Sequence, residues 1–221
     1  WFLLQAEVCT VFPYQGVPRR VHHVILSPSF EVVEQINDAL GRYGPLDVDG
    51  RPNLSLSAPE LVEILSSISG DIEIFPAHAW TPWYGLFGSR VGFNSLEECY
   101  QDAVHRIHAL ETGLSSDPPM NWRLSSLDRI TLISSSDSHS PYPTRMGREA
   151  TVFDLDKPSY HSLVEAVREK DPRRILYTIE TYPQYGKYHW TGHRRCNVSM
   201  DPSEAMRHRN ICPVCGRPLT I

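Results

Sequence analysis

Four residues late in the chain are spaced as the ligands of a tetrahedral ion are spaced. His193, Cys196, Cys212 and Cys215 form H-x2-C-x15-C-x2-C, two pairs that each clamp one side of an ion from a tight knuckle. Pro213 and Gly216 suit the turn of the second knuckle. His189 is a rival for the fourth position, but its separation from Cys196 is awkward for a knuckle. A segment this small has too little core to fold by itself, so metal binding and folding are expected to be coupled. With all four positions supplied by protein, the expected zinc is structural.

A second set of residues able to do chemistry is spread along the chain. Glu7 follows FLLQA, His78 follows IEIFPA, Glu111 follows IHAL, and Asp137 with His139 follows ITLISSS. Each stands where an apolar, strand-like run gives out, and in a parallel α/β sheet or barrel such ends share one rim. Asp137 and His139 are two apart, so in extended backbone both point to one side. His22 and His23 are adjacent, and only one of them can face inward. Any one of these alone reads as a hydrogen-bonded structural residue. Together they form an oxygen and nitrogen donor set suited to Zn, Mn or Mg. Such a cluster activates water and neutralises charge at phosphorus, which is the chemistry of phosphoester hydrolysis. The chain carries neither a G-x-x-x-x-G-K-[ST] loop nor a G-x-S-x-G elbow, so nucleotide-driven and serine-based chemistries lack their motifs.

Two segments beside these residues, AHAWTPWYGLFGS and SDSHSPYPTRMGRE, are dense in aromatics, prolines and glycines. Trp80, Trp83, Tyr84, Phe87 and Tyr142 are candidates for stacking on bases, and Arg145 and Arg148 for holding phosphate. Taken singly, each ring is equally a core residue.

The elements that must position these groups follow from the pattern of apolar residues. Trp1–Glu7 and Val21–Leu26 read as strands separated by a turn-rich stretch with Pro13, Gly16 and Pro18. Ser29 opens a helix with Val32, Ile36 and Leu40 on one face; Gly41 and Gly44 close it. Residues 44–56 are expected to be loop. Ser57 and Glu60 form a capping box before Leu61, Ile64, Leu65 and Ile68. Ile72–Phe75, Ile107–Leu110, Ile130–Ser134 and Ile175–Ile179 read as strands, with helices from Ser95 to about Ala103 and from Ser159 to Arg168. Alternation of this kind predicts an α/β fold with a parallel sheet, curling towards a barrel. Pro183 and Gly186 place a boundary before the cysteine cluster, giving domains 1–182 and 183–221.

Composition narrows the class further. Of 221 residues, 21 are Lys or Arg and 26 Asp or Glu, for a net charge of −5. Residues 168–221 hold ten of the basic residues against five acidic ones, so a basic tail follows an acidic body. Cys9 and Cys99 lie far from the cluster and are expected to be buried thiols. No apolar run approaches the roughly 18 residues of a membrane span, and the opening WFLLQAEV is too short for a signal peptide, so a cytoplasmic protein without membrane association is expected. The chain opens directly on a strand without a start methionine, which suggests a fragment.

The segments AEV, RVHHVILSPSFE, FPAHAWTPWYGLFGS, SLEECY, ETGLSS, SDSHSPYPTRMGRE, YGKYHWT and CPVCG occur in that order over nearly the whole chain. In them the sequence resembles the PHP (polymerase and histidinol phosphatase) superfamily, and within it the endonuclease Q family. The resemblance implies a partial, distorted (β/α)7-type PHP barrel with a small zinc-ribbon-like module after it. It implies a metal-dependent DNA endonuclease of repair that cuts 5′ of deaminated bases or abasic sites. By the same resemblance Glu7, His23, His78, Asp137 and His139 ligate the catalytic metals, with Glu7 bridging and Asp137, Glu7 and His139 the catalytic residues. The extruded base would lie near Trp80, Trp83 and Tyr142. Two features depart from the family pattern. The H-x-H motif that precedes these segments is absent, and His193 stands where the tail usually has a cysteine. The alternatives are a PHP-type phosphoesterase acting on a small phosphate ester and an inactive nucleic-acid-binding fragment.

Overall fold

The computed structural model describes residues 2–48 and 50–221. Its first feature is set by a two-residue turn. Gln15 and Gly16 both take positive φ, 50° and 75°, the conformation whose twist matches the strands it joins. Strand β1 (Leu4–Tyr14) therefore folds directly back into the antiparallel β2 (Val17–Ser27), with Pro13 opposite Pro18 beside the turn. Glu7 thus lies in mid-strand rather than at a strand end.

Helix α1 (Phe30–Leu40) follows, capped by the Ser29 hydroxyl, which accepts from the Val32 amide. Part of the stretch expected as loop is β3 (Asn53–Leu54), which pairs parallel with β1 at Cys9 and Thr10. Helix α2 (Ala58–Ile68) starts with the expected Ser57–Glu60 capping box and buries Leu61, Val62 and Leu65. Strand β4 (Glu73–Pro76) pairs antiparallel with β2, completing a four-stranded sheet in the order β3-β1-β2-β4. The expectation of a parallel sheet is corrected here: the hairpin and β4 make this sheet largely antiparallel.

Further along, α3 (Leu96–Tyr100) tightens into a 3₁₀ turn over Gln101–Arg106. Strand β5 (Ala109–Glu111) precedes a single turn, α4 (Pro118–Asn121), and pairs parallel with β6 (Thr131–Ile133). Strand β7 (Ala150–Phe153), helix α5 (Tyr160–Glu169) and strand β8 (Ile175–Ile179) come next, with β7 and β8 antiparallel. The tail holds β9 (Thr191–His193), β10 (Val198–Met200) and α6 (Pro202–Arg207). The whole is a mixed α/β fold.

The main core gathers the α1, α2 and α3 faces with Val8, Val21, Ile25, Ile107 and Ile130. The tail has its own small cluster, Met200, Ala205, Cys212 and Leu219. It is tied to the body by the Ser89 hydroxyl, which donates to the Ile221 carbonyl at 2.7 Å, and by Arg90, which donates to the Leu219 carbonyl at 2.8 Å. Cys9 and Cys99 are buried free thiols. Among the described residues no helix is long and apolar enough to cross a membrane.

Candidate metal centre and its surroundings

The hairpin register decides which histidine faces Glu7. Glu7 is opposite Val24 and Cys9 opposite His22, so Glu7 and His22 are diagonal neighbours on one face. Val8 is opposite His23, which puts His23 on the other face with Thr10. There its ring is fully buried, bonded to the Thr10 hydroxyl and the Tyr100 hydroxyl at 2.9 Å each. Burial pushes the His23 pKa down to about 3, so the ring is a neutral core residue. His22, and not His23, stands beside Glu7.

His78 reaches the same point from the end of β4. The Ala77 amide donates to the His22 carbonyl and the Ala79 amide to the Glu111 carbonyl, so His78 is seated between β2 and β5. Its own amide donates to the Glu111 carboxylate at 2.7 Å, and Ser135 holds the other oxygen of that carboxylate. Burial pushes the Glu111 pKa up. His78 has φ 29°, and Gly113, at φ +65°, lies so close that a Cβ there would sit 2.7 Å from the His78 Cβ. The Tyr84 ring stacks flat on His22 at 4.6 Å and fixes its plane.

The result is a tight triad. Glu7 Oε1 is 2.7 Å from His22 Nδ1 and 3.3 Å from His78 Nε2, and the two nitrogens are 3.1 Å apart. Burial works against the Glu7 charge, but hydrogen bonds from both imidazoles outweigh it and hold the carboxyl well below the usual range. For His78 burial opposes protonation and the bond to Glu7 favours it more, leaving its pKa raised; for His22 burial wins and the pKa is lowered. The donor set fits a divalent ion: metal bonds of about 2.0–2.2 Å would set donors roughly 3.3 Å apart at tetrahedral angles, close to the spacing here. Among the described residues, the buried His78 Nδ1 has no hydrogen-bond partner.

Asp137 and His139 are outside this triad. Strand β6 ends at Ile133, and Asp137 takes φ 44°, so the extended geometry expected for the pair is corrected to a left-handed loop, which aspartate tolerates. The His139 ring donates through Nδ1 to the Asp137 carbonyl at 3.0 Å. Arg51 links the two groups, with Nε 3.6 Å from Glu7 Oε1 and Nη1 3.1 Å from His139 Nε2.

The aromatics divide. Trp80 is fixed in the core, its ring 4.6 Å from Phe87 and its N–H donating to the Asn121 side chain. Trp83 is exposed and 5.7 Å from Tyr188. Tyr142 and Arg145 lie on an exposed loop, while Arg148 is half-buried and donates to the Ser136 carbonyl at 2.9 Å.

In the tail, one donor atom from each of His193, Cys196, Cys212 and Cys215 lies within 4.8 Å of every other, with His193 Nδ1 3.3 Å from Cys215 Sγ. Burial opposes ionisation of Cys212, but the Cys215 and Val214 amides and His193 hold its pKa down to about 6. His189 is not in this group.

No protein-family model matches the chain. It is 25% identical over 202 residues to the uncharacterized protein YqxK of Bacillus subtilis, and 28% identical over 144 residues to the uncharacterized protein MJ0043 of Methanocaldococcus jannaschii. The solved structure of the lesion-specific endonuclease Q of Pyrococcus furiosus matches it with a TM-score of 0.79 at 32% identity, over 97% of this chain. An endonuclease Q bound to a 27-mer duplex with an abasic lesion at the active site matches with a TM-score of 0.82, at the same identity and coverage. The chain belongs to the endonuclease Q family. It spans about half the length of those endonuclease Q structures, 48% of YqxK and 17% of MJ0043.

Within this endonuclease Q chain, sequence reasoning preferred His23 to His22, read Tyr84 as a base-stacking candidate rather than as the ring against His22, and missed Arg51. The signal for His22 was present: pairing outward from a Gln15–Gly16 turn brings Glu7 opposite Val24 and so puts His22 on the Glu7 face. Nothing local marks Arg51, whose approach depends on chain folding back onto β1.

Proposed function

We propose that this chain carries metal ligands of a lesion-directed DNA endonuclease, which hydrolyses the phosphodiester 5′ of a deaminated base or abasic site. The observation that supports it most is the convergence of Glu7, His22 and His78 on one point, in a chain aligned along nearly its whole length with lesion-specific endonucleases. Zn, Mn or Mg bound there supplies Lewis acidity and an activated water.

The roles of the chain's own residues follow from their surroundings. Glu7, held ionised by its neighbours, offers a carboxylate for bridging; His22 and His78 offer imidazole nitrogens, one ring stacked on Tyr84 and the other held through its backbone amide by Glu111. We assign Asp137 and His139 as further ligands that the loop presents from the other side of Arg51. Arg51 neutralises charge beside Glu7. Trp83, Tyr142, Arg145 and Arg148 contact the substrate strand, and Trp80 supports the loop that bears Trp83. In this reading residues 1–182 form a distorted PHP-type barrel, and residues 183–221 a module folded around structural zinc, acting in the cytoplasm.

The test uses the longest natural polypeptide containing this chain, with Mg or Mn and duplexes bearing one deoxyinosine or one abasic site. A metal-dependent nick 5′ of the lesion, lost in His22→Ala, supports the proposal. Hydrolysis of small phosphate esters alone, or DNA binding without any cut, refutes it.

A further inference from the structure

A cavity of about 490 Å³ lies where the tail meets the loop that follows β4, and the metal centre makes no use of it. Its size is that of a small-ligand site. Trp83, Tyr188 and Trp190 give it aromatic walls, Lys187 and Arg194 give it positive charge, and among the described residues no carboxylate lines it. Trp83 is 39% and Trp190 46% exposed, and each has only an edge or tilted ring neighbour, Tyr188 and His189. Trp83 and Tyr188 meet at 58°, so a flat face is left available rather than closed by stacking. The Arg90 guanidinium lies 5.9 Å from the Trp83 ring, adding a further cation at the edge.

The groove is also coupled to the metal centre through consecutive residues. Tyr84, the residue after Trp83, is the ring stacked on His22, and its φ of 68° is a left-handed conformation rare for a tyrosine. A ligand against Trp83 is therefore one residue removed from the ring that orients a member of the triad.

We infer that this groove takes one unstacked nucleotide of a DNA strand, its base against Trp83 and Trp190 and its flanking phosphates on Lys187 and Arg194. Aromatic faces accept any base, and paired cations without carboxylates select a polyanion over an ordinary peptide. The inference rests on the DNA reading above and deepens it, because it makes the junction between body and tail the element that sets how far a bound strand extends from Glu7.

The experiment uses the natural polypeptide and an abasic duplex in which 2-aminopurine replaces each base near the lesion in turn. At one position the fluorescence is expected to be quenched on binding, and Trp190→Ala should abolish that quench. Trp83→Ala and Trp190→Ala should each weaken binding about tenfold. Lys187→Ala with Arg194→Ala should lower the salt slope of binding by about two, one per phosphate contact. Trp190→Phe should keep the quench and the affinity, which separates stacking from loss of the tail's fold. Variants that bind and quench like the parent overturn the groove proposal while lesion cleavage leaves the endonuclease reading standing. A parent that binds no DNA overturns both.

Discussion

Replacing each of the adjacent histidines by alanine separates two roles that one residue of register divides. His23→Ala removes a ring with no exposed surface. The Thr10 hydroxyl keeps a second acceptor, the Val21 carbonyl at 3.3 Å, but the fully buried Tyr100 hydroxyl loses its partner. An orphaned buried hydroxyl costs about 1–3 kcal/mol, and the cavity left by the ring adds roughly 2 kcal/mol, for a total of about 3–5 kcal/mol. Against a typical domain stability of about 5–15 kcal/mol that is a large fraction. His22→Ala behaves differently, because Glu7 is 22% exposed and retains His78 and Arg51 nearby. Its cost should be about 1 kcal/mol, whereas Mn or Zn affinity at the triad should fall at least about tenfold with the loss of one ligand. Urea unfolding with unchanged m-values measures the first quantity, and calorimetric metal titration the second. The reasoning is refuted if His23→Ala loses the metal at unaltered stability while His22→Ala keeps it.

Cys212→Ser should release tail metal to a weak chelator and open residues 191–220 to protease, with β1–β4 still protected; an intact, metal-loaded tail refutes the assignment. Glu180 is driven by burial up to a pKa of about 7. Its raised value means that the folded state binds the extra proton, so its contribution to stability is greatest at low pH and falls between about pH 4.5 and 7. Glu180→Gln should accordingly gain about 1 kcal/mol at pH 8, a figure discounted for its half-exposed position, and nothing at pH 4; a gain independent of pH contradicts this. Arg168 donates to the buried Glu73 carboxylate at 2.7 Å, with His108 on its other oxygen. Arg168→Met should cost about 3–5 kcal/mol by leaving that charge uncompensated, and a shift below about 1 kcal/mol in urea unfolding would speak against it.

The parts legible in sequence are those governed by local rules. Ser29, Ser57 with Glu60, and Ser159 mark helix starts because a hydroxyl satisfies amides a turn away, and each caps its helix here. The gathering of His193, Cys196, Cys212 and Cys215 was legible because knuckle spacing is itself local. Sheet pairing is not local. The parallel pairing of β3 with β1 and the crossing of His78 between β2 and β5 depend on residues distant in sequence, and β7, β10 and α6 are too short for periodicity to register. Strand alternation has a period of two, so it says that only one of His22 and His23 faces Glu7 but not which; the resemblance chose His23, and the hairpin register puts His22 there. The Asp137 loop is illegible for a related reason: strand alternation does not continue past Ile133, where the strand stops.

The segment from Ala77 to Phe93 is pinned at three places: by Glu111 at His78, by the His22 amide bonding the Tyr84 carbonyl, and by Ser89 and Arg90 on the tail. An engineered version trimmed before residue 187 would therefore be no simple miniature. One of three anchors would be gone from the stretch that aims two imidazoles, and the residual freedom would show as faster amide hydrogen exchange there than in the trimmed protein's β1–β4 sheet.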